Sequence, residues 1–497
     1  MMPLIIPQKN RLVLAACCVL SIGCATGDQD LSPLPWRNQA RQAHSVAAPH
    51  TATRSAPPPA DRRGITLVGH EDFGGRGNFG DVWVQGNYAY VGSFRAQGCP
   101  GHGVSVADVS NPAHPSAVST FAAYPNTAAE EVTATFMASP HFVGTVAVVG
   151  LQDCSETPGA TGQHGLALWN VTNPHRPTPL GFYDTGAATL GGVHELSLFQ
   201  RAGRYYAIVA TNFYGVDNPD VGESDVRIVD ITNPRAPRLI SSWAVGRDLG
   251  LAYGSPLLAT TAPHNCDPPP GGTSDCRAVS SGGYPAVYAH SVSVSQDTNR
   301  AYVSYWDAGM FILDIRKLSR PVLLGRGNSP STDEGDLHSA VEVPYFNGDI
   351  AITTDEDFSP EYNVEREPND VWGFARIWKI SDPARPVQIA TIDTPHSASN
   401  RNDGIYAVHN PATFRNFAFF TWYTDGLRVY DLANPRRPEL IAYFDAPRVP
   451  DPAPGSLHIP AGAFWGLALR FPYVYVSDMN AGLYVLRLTP KALENLR

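Results

Sequence analysis

One frame recurs along the whole chain. In its clearest form it reads Gly426-Leu427-Arg428-Val429-Tyr430-Asp431-Leu432-Ala433-Asn434-Pro435, with Pro438 three residues on. Further copies run from Gly103 to Pro112 with Pro115, Gly165 to Pro174 with Pro177, Val226 to Pro234 with Pro237, and Phe374 to Pro383 with Pro386. A degenerate copy, Gly309 to Ile315, keeps only Pro321, and Gly482 to Leu488 meets the end of the sequence. A short unit repeated seven times cannot bury its apolar face alone. Neighbouring units must complete one another, which confines the chain to repeat architectures.

Each copy is a β-branched and aromatic run of about six residues, the length and composition of a strand. The Asn-Pro that follows stops it, because proline fixes φ and removes a ladder donor while the asparagine side chain caps the turn. A second apolar run comes next, as in Leu440-Ile441-Ala442-Tyr443, so the unit holds a hairpin. Upstream lies another apolar pair, such as Val82-Trp83-Val84 and Tyr88-Ala89-Tyr90-Val91 joined by Gln85-Gly86-Asn87. Four strands per unit and seven units predict an all-β, seven-bladed β-propeller. The apolar strand, Asp, Ser/Thr, Asn-Pro and second proline resemble the LVIVD repeat family of bacterial and archaeal surface proteins, with the units spanning about residues 64–489. That resemblance implies a fold and leaves activity open.

Ile65-Thr66-Leu67-Val68-Gly69 reads as an outer strand without the three that should precede it, and the last unit lacks its fourth. Joining them closes the ring and hides two edges, which predicts Leu67 beside Tyr484.

Residues 1–24 read as an export signal, with Lys9 and Arg11 ahead of an apolar run from Leu12 to Gly23 that is too short to span a bilayer. Leu20-Ser21-Ile22-Gly23-Cys24 resembles a lipoprotein cleavage box, which implies lipidation of Cys24; simple cleavage after Ala25 is the alternative. Residues 25–63, rich in Pro, Ala and Ser, cannot bury a core and are expected to form a disordered tether, and 490–497 a C-terminal tail. The expected location is the bacterial cell envelope, as a periplasmic or cell-surface lipoprotein. Membrane contact is expected through the lipid anchor only.

A formal charge of −10 with only 16 % charged residues argues against a nucleic-acid partner. Of seven cysteines, three fall in the signal, leaving Cys99, Cys154, Cys266 and Cys276. An even number in an exported chain predicts disulfides, Cys99 with Cys154 between neighbouring blades and Cys266 with Cys276 across a Pro-rich loop.

Chemistry is expected where equivalent positions of the repeats converge on the axis. Histidine begins the first strand of four consecutive units, as His194, His290, His338 and His409, while the aligned positions elsewhere are Gly80, Glu130 and Trp465. Neutral imidazoles suit a transition metal such as Zn, Cu or Fe. Glu130, Glu195, Asp307, Asp355, Asp357, Asp425 and Asp478 lie at or near the same face and are candidates to orient the rings or rim the opening. The competing expectation is that each blade uses its histidine for the same structural hydrogen bond to a neighbour's backbone. His264, His396 and His458 fall in long loops, and the connections Arg247 to Ala289, Ser359 to Trp372 and Asp445 to Ala463 are long enough to cap the mouth.

Neither a Gly-x-Ser-x-Gly elbow nor a His-Glu-x-x-His run is evident. Two functions are therefore expected. The first is an exported surface binding or scaffold protein that uses its axial face for a protein or small ligand. The second is a metal-dependent oxidoreductase or hydrolase built on the four histidines.

Overall fold

The computed structural model describes residues 61–95, 99–155, 161–186, 192–211, 225–249, 288–306, 308–328, 336–358, 371–399, 403–448 and 462–497. Seven antiparallel sheets stand in a ring, the expected seven-bladed propeller. The first blade pairs Phe79–Gln85, Tyr88–Ser93, Val104–Asp108 and Ser116–Phe121 in order. The same meander repeats with first strands at Val132–Ala138, Glu195–Arg201, Ala289–Val294, Leu337–Glu342, Pro411–Phe414 and Phe464–Arg470. Helix is almost absent: Val245–Leu249 is one short turn after the third blade.

The last blade is completed from the other end of the chain. Ile65–Glu71 pairs antiparallel with Gly482–Leu488, so the strand pairing is as expected, but the register differs from expectation. Leu67 sits opposite Leu486, two residues from the expected partner, and a bulge between Leu67 and Gly69 moves Tyr484 one further, to His70. Arg62–Arg63 adds a short fifth strand to the outer edge of the sixth blade. The C-terminal residues also dock there, where Asn416 donates to the Asn495 carbonyl and accepts from the Arg497 amide.

The core lies between blades. One apolar cluster fills each junction, including the junction of last and first blades, where Tyr475, Leu483 and Val485 meet Phe79, Ala89 and Val91. The outer strands explain the proline turns. Between third and fourth strands the register slips once in every blade, as between Ile228 and Val229 or Ile312 and Leu313. The bulged outer strand then abuts the proline turn of the next blade. A Cβ on Gly69, Gly181 or Gly325 would come within 2.3, 2.4 or 2.1 Å of the carbonyl oxygen of Pro112, Pro234 or Pro383. Where serine stands instead, its hydroxyl donates across the same gap, from Ser119 to the Pro174 carbonyl and from Ser241 to the Leu318 carbonyl. The repeated turn is thus a contact between blades as well as a strand stop.

Gly325→Val should cost about 1–3 kcal/mol, since backbone must move to admit the side chain. Val322→Thr, on the exposed start of the same strand, should change stability by less than about 0.5 kcal/mol. Urea denaturation of the two variants checks the difference.

Candidate metal centre on the propeller axis

The first strands deliver four histidines to the axis by local irregularity. In the fourth and fifth blades the ladder skips a residue, between Ala289 and Ser291 and between Leu337 and Ser339. His290 and His338 occupy those bulges, which free their side chains from the alternation of the strand. His194 and His409 precede their strands and are held by backbone bonds to the Ala210 and Thr421 carbonyls, each 2.9 Å. All four are buried. Successive ring centroids lie 4.3, 4.2 and 4.0 Å apart from His194 through His290 and His338 to His409, so the imidazoles form a continuous arc.

The ring nitrogens divide their tasks. His194 Nδ1 meets Gln152 Nε2 at 2.8 Å and Glu130 Oε2 at 3.4 Å. His338 Nδ1 meets the Ser339 hydroxyl at 2.8 Å, and His409 Nδ1 meets the Trp465 carbonyl at 3.1 Å. Nε2 of these three rings is left facing inward. His194 Nε2 lies 2.9 Å from His290 Nε2, while His409 Nε2 and His290 Nδ1 are buried without a hydrogen-bond partner. For His338 and His409 a ring held at Nδ1 with Nε2 presented is the usual arrangement of a metal-ligating histidine, whereas His194 Nδ1 accepts from the Gln152 amide, which places its proton on the Nε2 that faces His290.

Two carboxyl groups bracket the arc. Glu195 Oε1 is 3.8 Å from both His290 Nδ1 and His338 Nε2. Glu356 lies 3.9 Å from His338 Nε2 and 3.7 Å from His409 Nε2, and its Oε1 accepts from the Tyr423 hydroxyl. Two groups of three potential ligands result, His194 with Glu195 and His290, and His290 with His338 and Glu356, their ligand atoms within 4.8 Å of one another. Asp81 and Glu131 extend the polar hub, with Asn410 Nδ2 donating to Asp81 Oδ1 at 2.6 Å.

Burial sets the charge state. Desolvation, then the neighbouring imidazoles, hold His290 and His338 well below the usual histidine range, and desolvation brings His409 down to about 3. Desolvation likewise pushes Glu356 up to about 8 and Asp81 up to about 7, and carries Glu195 and Glu131 well above the carboxylate range, where neighbouring carboxylates add to it. The approaches of Glu195 and Glu356 to His290, His338 and His409 are therefore between largely neutral groups at neutral pH. Neutral imidazole is the form that binds a metal.

Other sequence candidates fall elsewhere. Asp355 is bound by the buried Arg376 at 2.9 and 2.7 Å and serves the blade interior, not the hub. Asp357 shows a backbone role, its carbonyl accepting from Gly373. Asp425 pairs with His396 Nδ1 at 2.6 Å and with Thr394 and Arg428, away from the four rings. Asp478 accepts backbone bonds from Ala463, Asn480 and Ala481 and fixes a turn. Asp307, Cys266, Cys276 and Cys24 lie outside the described residues, as do His264 and His458. Cys99 and Cys154 form a disulfide with Cα atoms 5.8 Å apart. Glu356, Asp81, Glu131 and Gln152 were not singled out from sequence. Asp81, Glu131 and Glu195 share one signal, since each directly follows the aligned hub position of its blade.

Aromatic side chains wall the arc. Trp306 packs at 4.9 Å on His290 and stacks on Tyr288, while Trp465 packs at 4.0 Å on His409 beside Tyr423. Trp372 and Tyr406 continue that wall.

The family model described as LVIVD repeat matches residues 76–123 and 286–328. The chain carries LVIVD repeats. The first match takes in all four strands of the first blade and the second all four strands of the fourth blade, including His290. Among solved structures, the computationally designed Ika8 protein is 10% identical, with 85% of this chain and 98% of that chain covered and a TM-score of 0.41. No curated protein matches the LVIVD propeller.

Glu356 gives a pH test on the metal-free protein. Its carboxyl keeps its proton up to about pH 8 when folded, whereas an unfolded glutamate loses it near 4.5. The folded state therefore holds the extra proton between those values, and stability falls as pH rises through that window. Glu356→Gln should flatten this fall, on the order of a few kcal/mol between about pH 5 and 8, in urea melts run with a chelator.

Proposed function

We propose that the axial cluster holds a transition-metal ion through His194, His290, His338 and His409, with Glu195 and Glu356 beside it, and that the protein is a metal-dependent enzyme of the cell envelope. The observation that carries this reading is the division of the ring nitrogens. If the histidines served only to tie blades together, each would bond a neighbouring blade's backbone. His409 does so, through the Trp465 carbonyl. His194 and His338 are instead held at Nδ1 by side chains, and His290 has a buried Nδ1 without a partner. Leaving such nitrogens buried and unsatisfied costs about 1–3 kcal/mol each in a purely structural arrangement. A coordinated ion offsets that cost.

The donor set of imidazoles with one or two carboxyls suits Zn, Fe or Cu over Ca or Mg, which take oxygen ligands. A bound ion would polarise a water or an oxygen-containing substrate. Glu356 supplies a carboxyl whose proton is retained to about pH 8 and whose position is fixed by the Tyr423 hydroxyl. With an ion bound, that carboxyl would be charged and could accept a proton there. The aromatic wall of Trp306, Trp465 and Tyr423 excludes water from the rings, which strengthens electrostatic interactions there.

The export reading rests on the N-terminal run Leu12 to Gly23 followed by Cys24, the residue we propose is lipidated. The Cys99–Cys154 disulfide supports an oxidising compartment. Among the described residues no helix is long and apolar enough to cross a membrane.

Protein purified without a histidine tag should contain stoichiometric transition metal by elemental analysis. His290→Ala and His338→Ala should each lower the bound metal at least tenfold while leaving a folded β-rich spectrum. Chelation should lower the melting temperature of the wild type and not of the variants. Absence of metal from the wild type after growth and refolding with Zn, Fe and Cu would return the histidines to a structural role and the protein to a surface binding scaffold.

A further inference from the structure

The face opposite the histidines is electrostatically unlike the rest of the chain. The first-to-second hairpins and the Asn-Pro turns both lie at that end of the blades, as the strand registers require. The turns between third and fourth strands in the second to sixth blades each present exposed basic residues, among them Arg176, Arg235, Lys317, Arg385, Arg436 and Arg437. Acidic residues at the same turns, Asp382 and Glu439 among them, are fewer, and several also hold the backbone. Asp108, Asp230, Asp314 and Asp431 each accept an amide two residues on, from Ser110, Thr232, Arg316 and Ala433. Those carboxylates keep their charge but are outnumbered by the arginines and lysines of the same turns, so the rim is net positive although the chain as a whole carries −10.

Charge spread once per blade around a rim fits an extended anionic surface better than a discrete ligand.

We infer that this face rests on an anionic phospholipid surface and that the histidine-bearing mouth is directed away from it. The propeller then contributes to membrane association itself, beyond any lipid on Cys24. This does not depend on a metal being bound. Exposed Lys and Arg each strengthen partitioning onto an anionic bilayer by roughly fivefold, and the attraction decays within a Debye length.

The test is co-sedimentation of the full chain with vesicles of phosphatidylcholine alone or mixed with phosphatidylglycerol, over a sodium chloride series. The expected result is binding that requires phosphatidylglycerol and falls steeply with salt. A variant carrying Arg176→Glu, Lys317→Glu, Arg436→Glu and Arg437→Glu should bind at least tenfold less, while Arg247→Glu with Arg448→Glu, on the histidine side, should bind as the wild type does. The inference is overturned if the wild type binds both vesicle types alike, if the four-site variant with an unchanged circular dichroism spectrum keeps its binding, or if duplex DNA competes the protein off the vesicles at equal charge concentration. The wild-type salt series decides the matter even if the four-site variant fails to fold.

Discussion

A ladder of hydrogen bonds between the two ends of the chain, Ile65–Glu71 on Gly482–Leu488, turns seven similar sheets into a ring. Without it two edges would stand open, and the cluster joining Tyr475 and Leu483 to Phe79 and Val91 would have nothing to hold it. With it, residues far apart in sequence meet at one hub, because every first strand must face the axis. The contacts of Gly69, Gly181 and Gly325 against neighbouring proline turns repeat the closure locally and fix how far each blade turns from the last.

That hub is an unfavourable place for ionisable groups, and the consequences follow from burial. Imidazoles are driven neutral and carboxyls are driven protonated, so the centre avoids isolated charge while keeping lone pairs pointed inward. Glu195 and Glu356, on opposite sides of the arc, each approach two rings. A cation entering this space would exchange protons on the carboxyls for coordination and bring both bracketing groups into their charged form. The basic rim on the far face makes the molecule polar along its axis, with the candidate metal centre at one end and its proposed support at the other.

The fold was legible because the strand, Asn-Pro and second proline recur with little variation, and a propeller needs little more than a count and a closing strand. The four histidines were legible for the same reason: alignment of repeats places His194, His290, His338 and His409 at one level. The carboxyls were harder. In Asp355-Glu356-Asp357 the sequence favours the two aspartates, but Asp355 ends a strand facing the buried Arg376, and only Glu356 turns to the rings. Asp425 and Asp478 read as rim acids, yet one is held by His396 and Arg428 and the other by backbone amides of its own turn. Leu67 found its partner strand but not its partner residue, because composition marks a strand without fixing where its pairing starts.

The account's central claim is that the four rings share an ion. The most direct measurement is anomalous X-ray diffraction from crystals of the metal-supplemented protein, collected on either side of the absorption edge. The account predicts one peak on the propeller axis, about 2.0–2.2 Å from ring nitrogens of at least three of His194, His290, His338 and His409. An axis without a peak, or a peak bound only to histidines outside the arc, would contradict it.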